Sequence, residues 1–94
     1  MIRVLLSERI KKTAGKLPPA VREKASQAIA AVSAAFGDPH QHRGLGLRKL
    51  ARRSYEIRVN LQWRVVFIYD GKALIAYDVM DHDAVSLWLR GQRK

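Results

Sequence analysis

The stretch YEIRVNLQWRVVFIYDGKALIAYDV, residues 55–79, specifies most of the predicted sheet. Residues 55–59 alternate apolar Tyr55, Ile57 and Val59 with polar side chains, so they predict a strand with one apolar and one polar face. Residues 63–69 form a nearly unbroken β-branched and aromatic run, which is typical of a central strand. Asp70-Gly71 is a strong hairpin signal. The stretch therefore predicts three antiparallel strands, the last over residues 73–79.

The sequence before this stretch predicts one strand and two helices. Residues 2–6 suit a first strand, and Ser7 is a suitable N-cap for a helix that runs to about Lys16. Apolar residues recur at three- and four-residue spacing over residues 20–36, which predicts a second helix with one apolar stripe. Gly37 is expected to end that helix as a C-cap.

The whole pattern predicts an α+β fold with the element order β-α-α-β-β-β-α. Two N-terminal helices are expected to pack on a twisted antiparallel sheet. Residues 37–46 are expected to form a loop, and residues 84–89 a short C-terminal helix capped by Asp81 or Asp83. The sheet face opposite the two helices carries Glu56 and Arg58, and we expect it to remain open for function.

Length and composition limit the class of protein. The chain has 94 residues, so we expect a single domain over residues 1–94. Apolar residues make up 48% of the chain and charged residues 28%. This balance excludes a disordered tail, and no apolar run approaches the length of a membrane span. The absence of cysteine excludes disulfides, thiolate zinc sites and thiol nucleophiles. The N-terminus meets charged residues too soon for a signal peptide, so a cytoplasmic protein without membrane association is predicted.

The charge of the chain is strongly positive and is concentrated in one segment. Eighteen Lys and Arg against 8 Asp and Glu give a net charge of +10. Residues 43–58 contain six of these cations against the single acid Glu56, a local net charge of +5. Such a field attracts polyanions, so it predicts a nucleic acid or an acidic protein as partner.

Three segments carry a family resemblance: Gly46-Leu47-Arg48-Lys49-Leu50, Tyr55-Glu56-Ile57-Arg58-Val59 and Trp63-Arg64-Val65-Val66-Phe67-Ile68-Tyr69. With the strand end at residues 76–83, they make the chain resemble the RelE/ParE superfamily of bacterial toxin–antitoxin toxins. The RelE-like branch implies a metal-independent endoribonuclease that cuts mRNA at the ribosome. The ParE-like branch implies the same fold without catalysis and inhibition of DNA gyrase. Both branches imply a cognate antitoxin, and we take the RelE-like branch as the first interpretation.

The resemblance implies four catalytic positions. Arg58 and Arg64 are expected to bind the phosphate and stabilise the phosphorane, because a guanidinium donates two parallel hydrogen bonds and keeps its charge. His82 matches a position where some members carry a histidine, and an imidazole transfers protons near neutral pH. Glu56 is expected to act as a general base or to orient an arginine. The tyrosine that RelE-like members often carry in the last helix is replaced by Trp88.

Structural roles compete with these assignments. Arg64 is also placed to pair with Asp78 or Asp81, and Glu56 to form an ion pair of purely structural value. His82 stands between two aspartates, either of which would hold it at the start of a helix.

The remaining cations are predicted to bind the phosphate backbones of mRNA and ribosomal RNA. Trp63 or Tyr77 is a candidate for stacking a base, although both residue types are more often core residues in strands. His40 and His42 lack further ligands at a usable spacing, so no metal and no cofactor are predicted. The predicted RNA-binding residues are Arg43, Arg48, Lys49, Arg52, Arg53, Arg93 and Lys94.

Overall fold

A computed structural model describes residues 1–92. Arg93 and Lys94, both predicted to bind RNA, lie outside the described residues. The structure contains these elements: β1 (Val4–Leu6), α1 (Glu8–Ala14), α2 (Pro19–Ala35), α3 (Pro39–Leu45), β2 (Arg48–Ala51), β3 (Ser54–Arg58), β4 (Trp63–Tyr69), β5 (Leu74–Asp81) and α4 (His82–Gln92).

The strands form one sheet in the order β1-β5-β4-β3-β2. Strands β2 to β5 are antiparallel neighbours, whereas β1 runs parallel to β5, with Val4 opposite Leu74. The predicted α+β class is therefore confirmed, and the parallel β1 is an addition to the antiparallel sheet. Three helices and three strands separate β1 from β5 in the chain, so this parallel pairing is a distant contact that no local pattern encodes.

Residues 37–46 were predicted to be a loop, and this prediction was wrong. Most of the segment forms α3, which Asp38 caps by accepting hydrogen bonds from the backbone N–H groups of His40 and Gln41. Pro39 occupies the first turn, where its missing N–H is not needed, and Gly46 ends the helix with φ +77°. Strand β2 was also missed, because four residues become a strand only by pairing with β3.

The core lies on one face of the sheet, between the sheet and helices α1 and α2. Phe67 and Val65 of β4 are fully buried there against Val32 of α2.

The other face of the sheet was expected to stay open, but α4 covers part of it. Val85 and Trp88 of α4 pack on Val66 in a second, smaller cluster. None of the helices in residues 1–92 is long and apolar enough to cross a membrane.

Candidate functional site

An open groove of about 580 Å³ lies on the second sheet face beside α4. It is bounded by residues 43–46 at the end of α3, by β2, by the adjoining ends of β3 and β4, and by the start of α4. The charged or titratable side chains that line it are Arg43, Arg48, Glu56, Arg58, Arg64 and His82. Four arginines against one glutamate make the groove a positively charged surface suited to an anion.

Glu56 is the buried centre of this groove, with only 6% of its surface exposed. The register of β2 and β3 places Arg48 opposite Glu56, and Arg48 Nη2 donates to Glu56 Oε2 at 2.9 Å. The second oxygen, Oε1, lies 3.4 Å from Arg64 Nε. Glu56 therefore forms ion pairs with two arginines that come from the two neighbouring strands.

Arg64 is also buried, at 8% exposed, and its partner is Glu56 instead of the aspartates considered from the sequence. Asp78 is instead engaged by Arg9 Nε at 3.2 Å and by the Thr13 hydroxyl at 2.6 Å. Arg64 Nη1 has no hydrogen-bond partner within residues 1–92. An unpaired buried donor is costly, and the cost is larger for a charged group, so an acceptor such as water or an anion would stabilise this atom.

Arg58 lies directly opposite Arg64 across the β3–β4 pair and is exposed. Like charges in directly opposed strand positions repel and destabilise a sheet. No carboxylate among the described residues pairs with Arg58. Arg58 and Arg64 are thus paired across the two strands and both line the groove, so a bound phosphate would reduce their repulsion.

His82 is the first residue of α4 and is exposed at the edge of the groove. The adjacent Asp81 caps the helix, since its Oδ1 accepts from the Ala84 N–H at 2.8 Å. Within residues 1–92 no ion pair or hydrogen bond joins His82 to Asp81 or Asp83. The imidazole is therefore open to a ligand in the groove.

The opposite wall depends on α3, which the sequence interpretation missed. Arg43 stands in the last turn of this helix. The helix is tied to the end of α2, because the Gly37 N–H donates to His42 Nε2 at 2.9 Å and the rings of Phe36 and His42 lie 5.3 Å apart. The Asp38-Pro39 pair and Gly46 were the signals that could have revealed it.

Three predicted RNA-binding residues lie outside the groove. Lys49 is opposite Tyr55, so it lies on the other side of β2 from Arg48. Arg52 and Arg53 form the β2–β3 turn, at the opposite end of β3 from Arg58. All three are exposed. Their role in RNA binding remains a prediction.

The two aromatic candidates for base stacking also lie outside the groove. Trp63 packs against the main core. The Tyr77 ring lies 5.4 Å from the Trp88 ring, centre to centre, and Arg9 covers it at 5.4 Å. Both side chains thus have packing partners of their own. Residues 1–92 contain no group of three or more His, Cys, Asp or Glu side chains placed to hold a metal ion.

Replacing Asp38 with alanine should loosen α3 and the groove wall it supplies. The side-chain hydrogen bond from Gln41 holds the pKa of Asp38 below its ordinary value, and the backbone N–H groups of Gln41 and His40 add to this. A lowered pKa means that the cap stabilises the folded state above the usual carboxylate range and is lost as the pH falls through the lowered value.

The expected result is lower hydrogen-exchange protection of the His40 and Gln41 amides in Asp38→Ala. Wild-type protein should lose the same protection upon acidification below about pH 4. Asp70→Ala serves as the control, because Asp70 caps the β4–β5 turn and leaves α3 untouched. Equal protection of the two amides in Asp38→Ala and wild type would contradict the prediction.

Comparison with known proteins gives the family and the fold. A family model described as the ParE-like toxin domain matches residues 19–84. The chain is similar to a chain of the RelB–RelE antitoxin–toxin complex from Methanococcus jannaschii, with 16% identity, coverage of 89% of this chain and 96% of that one, and a TM-score of 0.68. It is also similar to a chain of the E. coli DinJ–YafQ complex, with 12% identity, 90% and 98% coverage, and a TM-score of 0.66.

A third similar structure is the YoeB dimer from Staphylococcus aureus, with 13% identity, coverage of 86% of this chain and 97% of that one, and a TM-score of 0.62. No curated protein matches the chain significantly. At such low identities the solved structures share the fold, whereas the family model covers more than half of the sequence. The chain therefore belongs to the ParE-like toxin domain family, within the RelE/ParE superfamily of toxin–antitoxin toxins.

Proposed function

We propose that this protein is an endoribonuclease that cleaves mRNA at the ribosome without a metal ion and thereby stops translation. The observation that carries the proposal is the buried Arg64 guanidinium, whose Nη1 has no partner in residues 1–92 and which stands beside the exposed Arg58. Pairs of guanidinium groups fit the oxygens of a phosphodiester and stabilise the charge that develops during its cleavage.

The reaction is an attack by the RNA on its own backbone. The 2′-oxygen forms a bond to the neighbouring phosphorus, the 2′-hydroxyl proton passes to water in the open groove, and the bond from phosphorus to the 5′-oxygen breaks. Arg58 and Arg64 hold the extra negative charge of the phosphorane. His82 protonates the departing 5′-oxygen. The products are a 2′,3′-cyclic phosphate and a 5′-hydroxyl.

The proposed partners follow from the charge and from the family. A net charge of +10 attracts acidic partners, and several similar solved structures are complexes of a toxin with its antitoxin. We assign to this protein an acidic cognate antitoxin that orders itself on the basic surface. Arg43 and Arg48 would bind mRNA within the groove, and the exposed cations outside it would contact ribosomal RNA.

The test is a translating extract supplied with purified protein, with primer extension along a reporter message. Wild type is expected to give discrete cuts, and Arg22→Gln, which removes an exposed positive charge on α2 outside the groove, is expected to give the same cuts. An intact message with wild type would overturn the ribonuclease proposal. Inhibition of gyrase in a supercoiling assay would then support the ParE-like alternative that the family model brings forward.

Replacing His82 with glutamine should slow cleavage by about 10²- to 10⁴-fold, the usual contribution of a general acid or base. Glutamine keeps a similar size and polarity but transfers no proton at neutral pH. His82 is exposed and unpaired within residues 1–92, so the fold should be unaffected. Single-turnover rates on programmed ribosomes measure the effect, with His40→Gln on α3 as the matched control. Equal rates for His82→Gln and wild type would remove His82 from the mechanism.

A further inference from the structure

We infer that Glu56 is a positioning residue that aims the Arg64 guanidinium into the groove, and that it is not the general base. This inference rests on the proposed function, because it concerns how the same groove holds an RNA phosphate. Its observable consequence is binding of an uncleavable nucleic acid, so it is tested separately from cleavage.

The geometry of the Glu56–Arg64 pair fixes the direction of the guanidinium. Glu56 Oε1 contacts Nε, which lies on one edge of the planar group. Because the group is rigid and planar, an anchored Nε edge turns Nη1 towards the opposite side, away from the carboxylate. Nη1 is the atom of Arg64 that is buried without a partner in the described residues. The carboxylate therefore determines where this donor points.

The second oxygen of Glu56 is engaged as well. Arg48 donates to Oε2 at 2.9 Å, although the Arg48 side chain itself is 70% exposed. This contact fixes the carboxylate, which in turn fixes Arg64. A general base must reach the 2′-hydroxyl proton with a free oxygen. Both oxygens of Glu56 are engaged, one by Arg48 of β2 and one by Arg64 of β4, so neither is free to act as the base. Glu56 on β3 instead links these two arginines from the neighbouring strands.

The burial of Arg64 explains why it needs the ion pair with Glu56. The Arg64 guanidinium loses most of its hydration in the folded protein, because the residue is only 8% exposed. Removal of the partner of a buried charge is strongly destabilising. Glu56 compensates that charge through the contact with Nε and leaves Nη1 without a protein partner among the described residues. The arrangement keeps a cation buried and oriented before any RNA arrives, which avoids the entropic cost of ordering it upon binding.

Positioning and simple electrostatics predict opposite results for Glu56→Gln. Removal of the negative charge makes the groove more positive, so charge alone predicts tighter binding of an anion. Loss of positioning predicts weaker binding, because Arg64 is no longer held with Nη1 towards the ligand. The sign of the change therefore decides between the two.

The experiment measures binding of a short 2′-deoxy oligonucleotide, which has no attacking hydroxyl, at one fixed salt concentration. Glu56→Gln is expected to bind about tenfold more weakly than wild type, the scale of one charge-assisted hydrogen bond. Glu8→Gln removes the same charge at an 84% exposed site on α1 outside the groove, and it should bind at least as tightly as wild type. Unchanged or tighter binding by Glu56→Gln would overturn the inference.

A second variant covers the case in which Glu56→Gln does not fold. Glu56→Asp keeps the charge that compensates Arg64 but is shorter by one methylene, so it cannot reach both guanidinium groups as Glu56 does. Positioning predicts weaker binding again, whereas charge alone predicts no change. Nitrogen-detected NMR of the Arg64 Nε–H adds a direct readout: we expect a slowly exchanging signal in wild type and a faster one in Glu56→Asp. Wild-type affinity together with a wild-type signal in Glu56→Asp would refute the inference.

Cleavage supplies an independent comparison. If Glu56 were the base, Glu56→Gln would lose the acidic limb of the pH–rate profile. A positioning residue leaves the shape of the profile unchanged and lowers the rate. If wild-type protein cleaves no RNA, the proposed function fails while the binding result for Glu56 stands on its own.

Discussion

Arg64→Lys is expected to slow RNA cleavage by about 10²- to 10³-fold, as loss of one preorganised donor to a transition-state charge does in other enzymes. Lysine keeps the positive charge and can still pair with Glu56. It lacks the planar fork, and so it removes the one donor that is buried without a partner within residues 1–92. The substitution thus tests whether cleavage needs the planar shape of the guanidinium in addition to its positive charge.

The measurement is the single-turnover cleavage rate on ribosomes programmed with a reporter message. Arg90→Lys is the matched control, because it makes the same substitution at an exposed position in the last turn of α4, outside the groove. Thermal unfolding of both variants checks that the fold is intact. A rate for Arg64→Lys within about threefold of wild type would show that a point charge is sufficient and would remove the guanidinium geometry from the mechanism.

Phe67→Ala should destabilise the protein by about 3–5 kcal/mol, the usual cost of removing a buried aromatic ring. Phe67 is fully buried at the centre of β4, with 0% of its surface exposed, and belongs to the main core cluster. A domain of this size is stable by about 5–15 kcal/mol in total, so the variant should be close to unfolding.

Urea unfolding followed by circular dichroism measures this loss as a shift of the midpoint. Leu61→Ala is the control, since Leu61 is 88% exposed in the β3–β4 connection. Its removal should cost less than about 0.5 kcal/mol, as is usual for a surface substitution. Because Phe67 faces the core and not the groove, Phe67→Ala protein that remains folded in the cold should retain cleavage. A loss below about 1 kcal/mol would mean that the core closes around the deleted ring.

The basic segment between residues 43 and 58 illustrates the limit of a prediction from sequence. All six of its cations were predicted to bind RNA or its phosphate, but the fold separates them. Arg43, Arg48 and Arg58 line the groove, while Arg52 and Arg53 occupy the turn at the other end of β3. Alternation along a strand and the position of a turn separate residues that are neighbours in sequence.

The burial of Glu56 is a second feature that the sequence did not predict. Its place between two apolar strand residues predicted a polar face, and Arg58 on that face is indeed exposed. Glu56 itself is buried, because Arg48 and Arg64 from the two neighbouring strands close over it. Which side chains meet across strands depends on register, and register is set by the neighbouring strands and their turns together, not by one strand alone.

Local sequence was sufficient to predict the strands β3 to β5, their hairpin at Asp70-Gly71, the Ser7 cap of α1 and the α+β class. These features follow from periodicity and turn chemistry, which act over a few neighbouring residues. The parallel pairing of β1, the burial of Glu56 and the unpaired Arg64 Nη1 became visible only in the folded chain. Each of these arises from contacts between residues distant in the chain, and their energy is gained only when the elements pack together.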